Sequence, residues 1–489
     1  MTGGPVLAVD QGTSGTKALV LCPDRGVLGT GTAPVTPRHL PGGRVEADPA
    51  ELYASVVAAG RAALAEAGVP VVAAGLANQG ETVLAWDPAT GDPLTDALVW
   101  QDRRAAGICE ELGPHHDVLT ELTGLPVDPY FAAPKMAWIR RHATGAGVVT
   151  TSDAWLVHRL TGAYVTDAAT AGRTGLLDPA SVAWSAPALD LYGLGGERLP
   201  RIVDCDRPVG TTTAFGPPLP LTGLLVDQQA ALLAQSATAP AAAKCTYGTG
   251  AFLLARTGPV PRRPTTGLVG CVAWRLRGRT EHCLDGQVYT VASAVRWLTD
   301  LGVVSGARDL DAVGGSVPDS GGVAFVPALA GLAAPWWRGE ARGTLTGLGL
   351  DTGRGHLVRA LVEGIAAQVA ELAGAAAADR GAPLDALRAD GGLTRSALLM
   401  QTQADLLQLP VEVSALPDAT ALGVGAAALL GHDPDLAVPE AVPPWKPSAV
   451  YEPAISADEA ADRLGRFRAE VAALLERGPD GGAGTGAAG

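Results

Sequence analysis

Residues 6–21 read VLAVDQGTSGTKALVL, and this stretch decides the interpretation of the whole chain. Two apolar runs of strand length flank a short polar turn. The turn contains Asp10, Gly12, Thr13, Ser14, Gly15 and Lys17. The backbone N–H groups of a glycine-rich turn can point at an anion, and a carboxylate beside them suits a hydrated Mg²⁺. The pattern fits a phosphate-binding hairpin, and it fits an ordinary hairpin with a solvated turn equally well.

The composition limits the classes of function. A chain of 489 residues is too long for one hydrophobic core, which predicts two domains. Hydrophobic residues make up 47% of the chain and charged residues 18%, as in globular proteins. The 36 basic and 50 acidic residues give a net charge of −14. An acidic protein has no electrostatic footprint for nucleic acid or an anionic membrane, so we expect neither as a partner.

The cysteines and the first residues of the sequence predict the cellular location of the protein. The six cysteines form no CxxC pair and match no zinc-site spacing, which predicts buried, reduced thiols. We see no secretory signal in the first residues and no apolar run of transmembrane length. These observations predict a cytoplasmic protein.

Along the chain, polar clusters follow apolar strands. Asp48–Glu51 predicts a capping box that opens a helix ending at Gly68, and a short strand is expected at Ala97–Trp100. An apolar strand runs into Asp227, and residues 228–236 then have helical character. In α/β proteins, ligands collect at such strand ends.

The second half restarts in the same way as the first. After an Ala/Pro-rich boundary at residues 237–243, residues 245–254 again give a strand, a glycine-rich turn and a strand. This repeat predicts two related domains that face a central cleft. Asp390–Gly392 then precedes a helix expected at Thr394–Leu406, and a helix N-terminus behind two glycines suits a phosphate or ribose.

Taken together and in order, these motifs resemble the FGGY carbohydrate kinases of the actin-like ATPase superfamily, and among them the glycerol kinases. No GxxxxGK[ST] motif is present. The similarity runs roughly from residue 6 to residue 431. It rests on the segments Asp10–Thr13, Asn78–Thr82, Val99–Arg104, Asp128–Phe131, Asp227–Ala231, Thr246–Phe252, Phe325–Ala328, Ala334–Trp337, Ala341–Thr344 and Asp390–Gly392.

The resemblance implies an α/β fold with two actin-like (ribonuclease H-like) domains around a central cleft. We expect an N-terminal domain over residues 1–236, a C-terminal nucleotide-binding domain over 237–450, a C-terminal helix over 451–477 and a disordered tail over 478–489. By analogy with the family, we also expect a homo-oligomer, either a dimer or a tetramer.

The resemblance also implies ATP and Mg²⁺ and assigns roles to individual residues. Asp227 would be the general base that accepts the proton of the acceptor hydroxyl, and Asp10 with Asp227 would hold the Mg²⁺ shell. The phosphates would be held by Thr13, Ser14, Lys17, Thr249 and Gly250. The adenosine would face Ala292, Arg296, Gly392 and Ser396. The acceptor, a small polyol or sugar, would contact Gly80, Glu81, Trp100, Tyr130, Asp227, Gln228 and Phe252.

Taken singly, these residues have ordinary explanations. Trp100 and Phe252 would more often be core residues, Tyr130 a turn residue, and Glu81 and Asp227 surface carboxylates. The ordered set favours the functional interpretation. Arg103 and Arg104 stay open between an ion pair and a ligand contact.

One departure concerns the acceptor. Glycerol kinases have an arginine where this chain has Gly80, and losing that arginine removes donors and opens volume. We therefore expect a longer polyol or a sugar instead of glycerol. The alternatives are a strict glycerol kinase, a xylulokinase-type ketose kinase, and an actin-like assembly or sugar-binding protein without transferase activity.

Overall fold

The hairpin at residues 6–21 forms as predicted and begins the central sheet of the N-terminal half. In the computed structural model, which describes residues 4–416 and 418–477, β1 (Val6–Gln11) pairs with β2 (Gly15–Cys22) in antiparallel register. The tail predicted to be disordered, residues 478–489, lies outside the described residues.

The remaining strands of the N-terminal half are β3 (Gly26–Pro34), β4 (Arg38–Leu40), β5 (Arg44–Ala47), β6 (Ala73–Asn78), β7 (Val83–Trp86), β8 (Ala97–Leu98), β9 (Val148–Thr151), β10 (Val165–Asp167), β11 (Leu177–Asp178), β12 (Ala183–Trp184), β13 (Arg201–Val203), β14 (Gly210–Thr212) and β15 (Leu219–Val226). Its helices are α1 (Pro49–Ala67), α2 (Ala106–Glu111), α3 (His116–Thr123), α4 (Ala132–His142), α5 (Ser152–Thr161), α6 (Ala168–Ala171), α7 (Ala186–Leu191) and α8 (Asp227–Ser236). The central sheet has the order β14-β15-β6-β1-β2-β3.

The strands of the C-terminal half are β16 (Ala243–Tyr247), β17 (Ala251–Gly258), β18 (Val269–Leu276), β19 (Arg279–Val288), β20 (Ala324–Val326), β21 (Thr344–Thr346), β22 (Leu387–Asp390), β23 (Val411–Ser414) and β24 (Pro447–Tyr451). Its helices are α9 (Ala292–Asp300), α10 (Leu310–Gly314), α11 (Arg354–Arg380), α12 (Ala397–Leu407), α13 (Ala419–His432), α14 (Val438–Ala441) and α15 (Ala457–Glu476). The central sheet has the order β18-β19-β17-β16-β22-β23-β24.

The predicted repeat is visible in the pairing of the strands. The hairpin β1–β2 has β6 as the parallel neighbour of β1, and the hairpin β16–β17 has β22 as the parallel neighbour of β16. A further parallel strand follows in each sheet, β15 beside β6 and β23 beside β22. The α/β architecture of two related sheets is therefore as predicted.

Helices α8 and α13 join the two halves. Helix α8 directly follows β15, and α13 begins five residues after β23. The helices cross at a glycine, because a Cβ atom at Gly423 would lie 1.8 Å from the carbonyl oxygen of Ala230. This close approach fixes two acidic residues in the cleft, Asp227 at the start of α8 and Asp418 before α13.

Three local predictions differ in detail from the structure. Asp48 caps α1 by accepting from the backbone N–H of Ala50, but Glu51 accepts from Thr36 and does not complete a capping box. The strand expected to reach Trp100 ends at Leu98. The helix expected from residue 394 begins at residue 397, because Ser396 is its N-cap and a 3₁₀ turn precedes it.

Helix α11 departs from the prediction that no apolar run reaches transmembrane length. It is long and apolar enough to cross a membrane, yet 72% of its most apolar window is buried inside the protein, as in a core helix. All six cysteines are free thiols, and five of them are buried, with Cys109 half-buried.

Candidate active site

A cavity of about 250 Å³ lies in the cleft where the two hairpin turns meet the ends of β6 and β15. It brings together every residue that the sequence assigned to the acceptor: Gly80, Glu81, Trp100, Tyr130, Asp227, Gln228 and Phe252. Three residues assigned to the phosphates, Thr13, Ser14 and Thr249, line the same cavity. The predicted set therefore converges in one place.

Asp227 is the first residue of α8, directly after the buried strand β15. Its Oδ1 accepts from the backbone N–H of Gln228 at 2.7 Å. Burial in the cleft raises the pKa of its carboxyl, while this N–H and the charge of Lys244 lower it. The carboxylate is thus held at a helix N-terminus with its other oxygen free to accept a proton.

Asp10 lies at the end of β1, and its buried carboxylate is a candidate for binding a cation. Its Oδ1 is buried without a hydrogen-bond partner. Burial, together with the charges of Asp227 and Asp418, raises the pKa of its carboxyl to about 8. Within residues 4–416 and 418–477, no group of three or more His, Cys, Asp or Glu side chains is arranged to hold a metal. The donor set fits Mg²⁺, which binds through one or two carboxylates plus phosphates and water.

Two residues of the first turn are already engaged. The Lys17 ammonium pairs with Asp418 at 2.5 Å, so it joins the two halves of the molecule and does not point freely into the turn as predicted. The Thr13 hydroxyl accepts from Trp100 Nε1 at 2.8 Å, which connects the phosphate turn to a residue predicted to contact the acceptor. Ser14 and Thr249 are exposed at the cleft, and Gly250 is buried behind Thr249.

A buried ion cluster joins the predicted Glu81 to two residues, Arg173 and Asp285, that were not predicted. Arg173, 2% exposed, places Nε 2.7 Å from Glu81 Oε1 and Nη1 2.7 Å from Asp285 Oδ2. Burial raises the pKa of Glu81 to about 7, although the Arg173 charge opposes this rise. Glu81 also has a φ of 60°, which a non-glycine residue adopts at a cost of roughly 1–3 kcal/mol. Glu81 therefore combines a strained backbone conformation with a buried carboxyl group.

Lys244, on β16, is a further missed residue. Its side chain is completely buried and donates to the Gln228 side-chain oxygen. Its charge lowers the pKa values of both Asp227 and Asp285. The available signal was a lysine between an alanine and a cysteine at the start of a short strand, since a lysine is rarely buried without a role.

Three aromatic rings form the apolar wall. The ring of Trp100 meets those of Tyr130 and Phe252 edge to face, with centroids 5.8 and 6.1 Å apart. The fully buried Lys135 donates to the carbonyl oxygens of residues 129, 130 and 131 at 2.6–2.8 Å. This ammonium fixes the backbone that presents Tyr130 to the cavity.

The space beside Gly80 is bordered by Val226. A Cβ atom at Gly80 would lie 3.0 Å from Val226 Cγ2, with no other atom outside the neighbouring residues within 4 Å. The pocket gains an apolar surface beside Glu81 as well as room.

On the nucleotide side, a separate cavity of about 620 Å³ is lined by Gly392 and Ser396. The Ser396 hydroxyl donates to Asp311 and also caps α12, so this hydroxyl already has hydrogen-bond partners within the protein. Ala292 begins α9 and Arg296 is exposed on it, and neither lines this cavity. The four residues assigned to the adenosine therefore do not converge as the acceptor residues do.

The structure distinguishes the two arginines whose roles the sequence left open. Arg104 pairs with Asp102 at 2.8 Å and with Glu46 at 2.7 Å, so it is an ion-pair residue. Arg103 lines a smaller cavity of about 120 Å³ on the far side of Trp100 and Tyr130.

The same two halves appear in comparisons with known proteins. Residues 5–234 match the N-terminal domain of the FGGY family of carbohydrate kinases, and residues 243–432 match its C-terminal domain. The chain belongs to this family. It is 41% identical to a glycerol kinase of Aromatoleum aromaticum over 95% of this chain and 98% of the relative. A glycerol kinase of Thermus brockianus is 41% identical, covering 92% and 94%.

Solved structures agree with this membership. A Plasmodium falciparum glycerol kinase with ADP superposes with a TM-score of 0.87 at 28% identity, covering 97% of this chain and 99% of that one. A xylulose kinase of Lactobacillus acidophilus gives a TM-score of 0.88 at 20% identity, covering 98% and 99%, which shows the shared fold alone.

These findings confirm the predicted class. The chain is a glycerol kinase-like FGGY carbohydrate kinase, a phosphotransferase that uses ATP and an alcohol group as acceptor. The main interpretation is therefore supported over an actin-like assembly protein or a sugar-binding protein without transferase activity.

Proposed function

We propose that this kinase phosphorylates a small neutral polyol or sugar other than glycerol, with Asp227 as the catalytic base. The observation that supports this most strongly is the convergence of Asp227, the Arg173-held Glu81 and the aromatic wall on one cavity. Carboxylates accept hydroxyl groups, while rings and Val226 cover C–H faces, and a polyol presents both surfaces.

Asp227 would act on the acceptor hydroxyl. Its free oxygen accepts the hydroxyl proton as the oxygen attacks the γ-phosphoryl group, and a positioned base contributes typically 10²- to 10⁴-fold to such a step. Its pKa is raised by burial, so it is a stronger base than an exposed carboxylate.

The hairpin turns would bind the phosphates. Thr13, Ser14 and Thr249 offer hydroxyl donors from the two sides of the cleft, and Gly250 allows the second turn to approach closely. Lys17 would act indirectly, by closing the turn onto Asp418. Asp10 and Asp227 would hold Mg²⁺, which neutralises charge on the β- and γ-phosphates when it is bound. The unpaired Asp10 oxygen supports this assignment.

The acceptor would be uncharged. Glu81, Asp227 and Asp285 all line the cavity. An acceptor with its own carboxylate would lie beside these three carboxylates, and like charges in a partly buried site repel strongly.

Other assignments remain proposals from the sequence. We propose domains over residues 1–236 and 237–450, a cytoplasmic location and a homo-oligomer. The C-terminal helix predicted over residues 451–477 is shorter than expected, since α15 begins at Ala457 behind its N-cap Ser456. Gly392 and Ser396 line the cavity proposed for the adenosine, and Ala292 and Arg296 would approach it only after movement of α9.

The test is coupled ADP release against a panel of glycerol, erythritol, ribitol, xylitol, arabitol, xylulose, ribulose and dihydroxyacetone. We expect a four- or five-carbon acceptor to give the highest kcat/KM. Asp227→Asn should reduce kcat by about 10²- to 10⁴-fold, because the amide cannot accept the proton. The exposed Asp351→Asn is the control and should match the wild-type chain. Turnover that no acceptor raises would overturn the proposal.

A further inference from the structure

We propose that Cys271 and Cys283 form a reversible disulfide when the enzyme meets a peroxide, and that this disulfide weakens acceptor binding. The pair is a modification site, separate from the residues assigned to the acceptor, the phosphates and the nucleotide. This inference goes beyond the proposed function, and only its kinetic readout rests on that function.

The two thiols face each other on neighbouring strands. Cys271 lies on β18 and Cys283 on β19, and the two residues are direct partners in the antiparallel register. Their sulfur atoms are 3.6 Å apart. Direct partners in an antiparallel pair have Cα atoms about 4.5–5.5 Å apart, within the range of about 4.4–6.8 Å that disulfides span. The side chains therefore need only turn toward each other, until the sulfur atoms are about 2.05 Å apart.

Cys271 is the thiol that reacts first. The hydrogen bond from Cys283 and the charge of Arg173 lower the pKa of the Cys271 thiol, although burial opposes this change. The same hydrogen bond, together with burial, raises the pKa of Cys283. Because the thiolate is the nucleophile in thiol oxidation, the lower pKa favours reaction at Cys271, and Cys283 is placed to resolve the product.

Cys271 lies directly behind the acceptor cavity. Its side chain is 2% exposed. Its sulfur accepts from Arg173 Nη1 at 3.7 Å and from Gln229 Nε2 at 3.6 Å, and both of these side chains line the cavity. One layer of side chains therefore separates the sulfur from a space that a small neutral oxidant such as hydrogen peroxide can enter.

The reaction consumes one peroxide molecule for each pair of thiols. The Cys271 thiolate attacks one peroxide oxygen, the O–O bond breaks, and the departing hydroxide takes the proton that the thiol released, which leaves a sulfenic acid and water. The Cys283 sulfur then attacks the sulfenic sulfur, the S–O bond breaks, and a second water leaves with the Cys283 proton. The two thiols lose two electrons, and the peroxide is reduced to two water molecules. A dithiol reductant reverses the bond by thiol–disulfide exchange.

The new bond would change the acceptor cavity. As the Cys271 sulfur turns toward Cys283, it moves away from Arg173 Nη1, the nitrogen that also binds Asp285. Asp285 lies two residues after Cys283 on the same strand, and both Arg173 and Asp285 line the cavity. The nucleotide cavity is lined by other residues. Oxidation should therefore weaken acceptor binding and spare ATP binding.

The first experiment maps the bond in the wild-type enzyme. The reduced enzyme is treated with hydrogen peroxide, the remaining thiols are blocked with iodoacetamide, and the chain is digested with trypsin. Arg275, Arg277 and Arg279 lie between the two cysteines, so trypsin places the cysteines in separate peptides. We expect mass spectrometry to find these two peptides linked, and dithiothreitol to separate them. Absence of the link at a peroxide dose that already oxidises methionine would overturn the proposal.

The second experiment measures the kinetics of the same samples. ADP release is followed with glycerol and with erythritol before peroxide, after peroxide and after dithiothreitol. KM for the acceptor should rise at least roughly ten-fold in the linked enzyme and return on reduction, with KM for ATP within about two-fold. An unchanged acceptor KM in the linked enzyme, or an equal rise in both KM values, would overturn the proposal.

The third experiment uses Cys283→Ala, which removes the resolving thiol. In the reduced state its kcat/KM should stay within about three-fold of wild type, since Cys283 does not line the cavity. With peroxide it should form no linked peptides, dimedone should trap a sulfenic acid at Cys271, and the acceptor KM should rise less than in wild type. A rise as large as that of wild type would overturn the disulfide as the cause.

The matched control is Cys22→Ala. Cys22 is a buried thiol at the end of β2 that donates to Asp24, away from the pair. This variant should form the disulfide as wild type does. If Cys283→Ala does not fold, the peptide map and the kinetics of the wild-type enzyme decide alone. Failure of the kinase proposal would appear separately, as no acceptor-dependent ADP release in the reduced enzyme before peroxide is added, and the peptide map would still decide whether the disulfide forms.

Discussion

The acceptor wall, by which we mean the three aromatic rings together with the buried Arg173, Lys135 and Lys244, is preorganised in the free protein. The nucleotide cavity is preorganised to a smaller extent. The acceptor wall contains fully paired or fully buried groups: Arg173 between two carboxylates, Lys135 on three carbonyls and Lys244 on Gln228. The nucleotide cavity is open, and its one designated hydroxyl, Ser396, already caps a helix. The difference indicates that acceptor specificity is preorganised in buried charge, while nucleotide binding depends mainly on backbone and on closure of the cleft.

The largest effect is expected at the centre of the acceptor wall. Arg173→Met removes the guanidinium that both Glu81 and Asp285 bind, and breaking a buried pair in this way costs about 3–5 kcal/mol. We expect this loss in the free energy of unfolding, measured in urea, together with a fall of at least roughly 10²-fold in kcat/KM for the acceptor.

The control for that prediction is Arg141→Met on α4, where the pair with Glu111 is exposed. An exposed pair contributes about 0–1 kcal/mol, so this variant should stay near wild type in stability and activity. Equal losses of stability and activity in the two variants would contradict the expected difference between a buried and an exposed ion pair. Arg173→Lys, which keeps the charge, should recover stability more than acceptor binding.

Lys135→Met tests the support of the aromatic wall. The change leaves three buried carbonyls without their donor and frees the backbone that carries Tyr130. We expect KM for the acceptor to rise about ten-fold with KM for ATP unchanged, and stability to fall by about 1–3 kcal/mol. A rise in both KM values would contradict a role confined to the acceptor side.

Lys244→Met tests the electrostatics of the base. Asp227 must be ionised to accept a proton, so kcat/KM rises with pH through its pKa and is lost as pH falls below it. The Lys244 charge lowers that pKa, so removing the charge should raise it and move the acidic limb of the pH profile up by about one unit. The exposed Lys446→Met should leave the profile unchanged. A shift to lower pH would contradict the assignment.

The sequence predicted those parts of the site that a local pattern can carry. The strand–turn–strand at residues 6–21 and the strand-to-helix step at Asp227 both formed as expected, because apolar runs and glycines specify them locally. Arg173, Lys244 and Asp285 were missed, since none of them belongs to a local motif and each becomes meaningful only through a partner elsewhere in the chain. The Lys17–Asp418 pair spans 401 positions and was invisible for the same reason.

The smallest effect is expected on the nucleotide side. Arg296 is exposed outside the cavity, whereas Arg395 is exposed and lines it. Arg296→Ala should keep KM for ATP within about two-fold of wild type, while Arg395→Ala should raise it several-fold through loss of one charge near the nucleotide. Initial rates at varied ATP and saturating acceptor decide this. A larger effect at Arg296 would show that α9 moves toward the nucleotide on closure.

The most direct test of the preorganised acceptor wall is a competition. The enzyme receives ATP, Mg²⁺ and an equimolar mixture of glycerol and erythritol, and mass spectrometry of the products gives the ratio of the two phosphates, which equals the ratio of kcat/KM values. We predict that erythritol phosphate exceeds glycerol phosphate by at least roughly ten-fold in wild type. A product that is almost entirely glycerol phosphate would contradict the account, because the cavity beside Gly80 would then favour the smaller polyol.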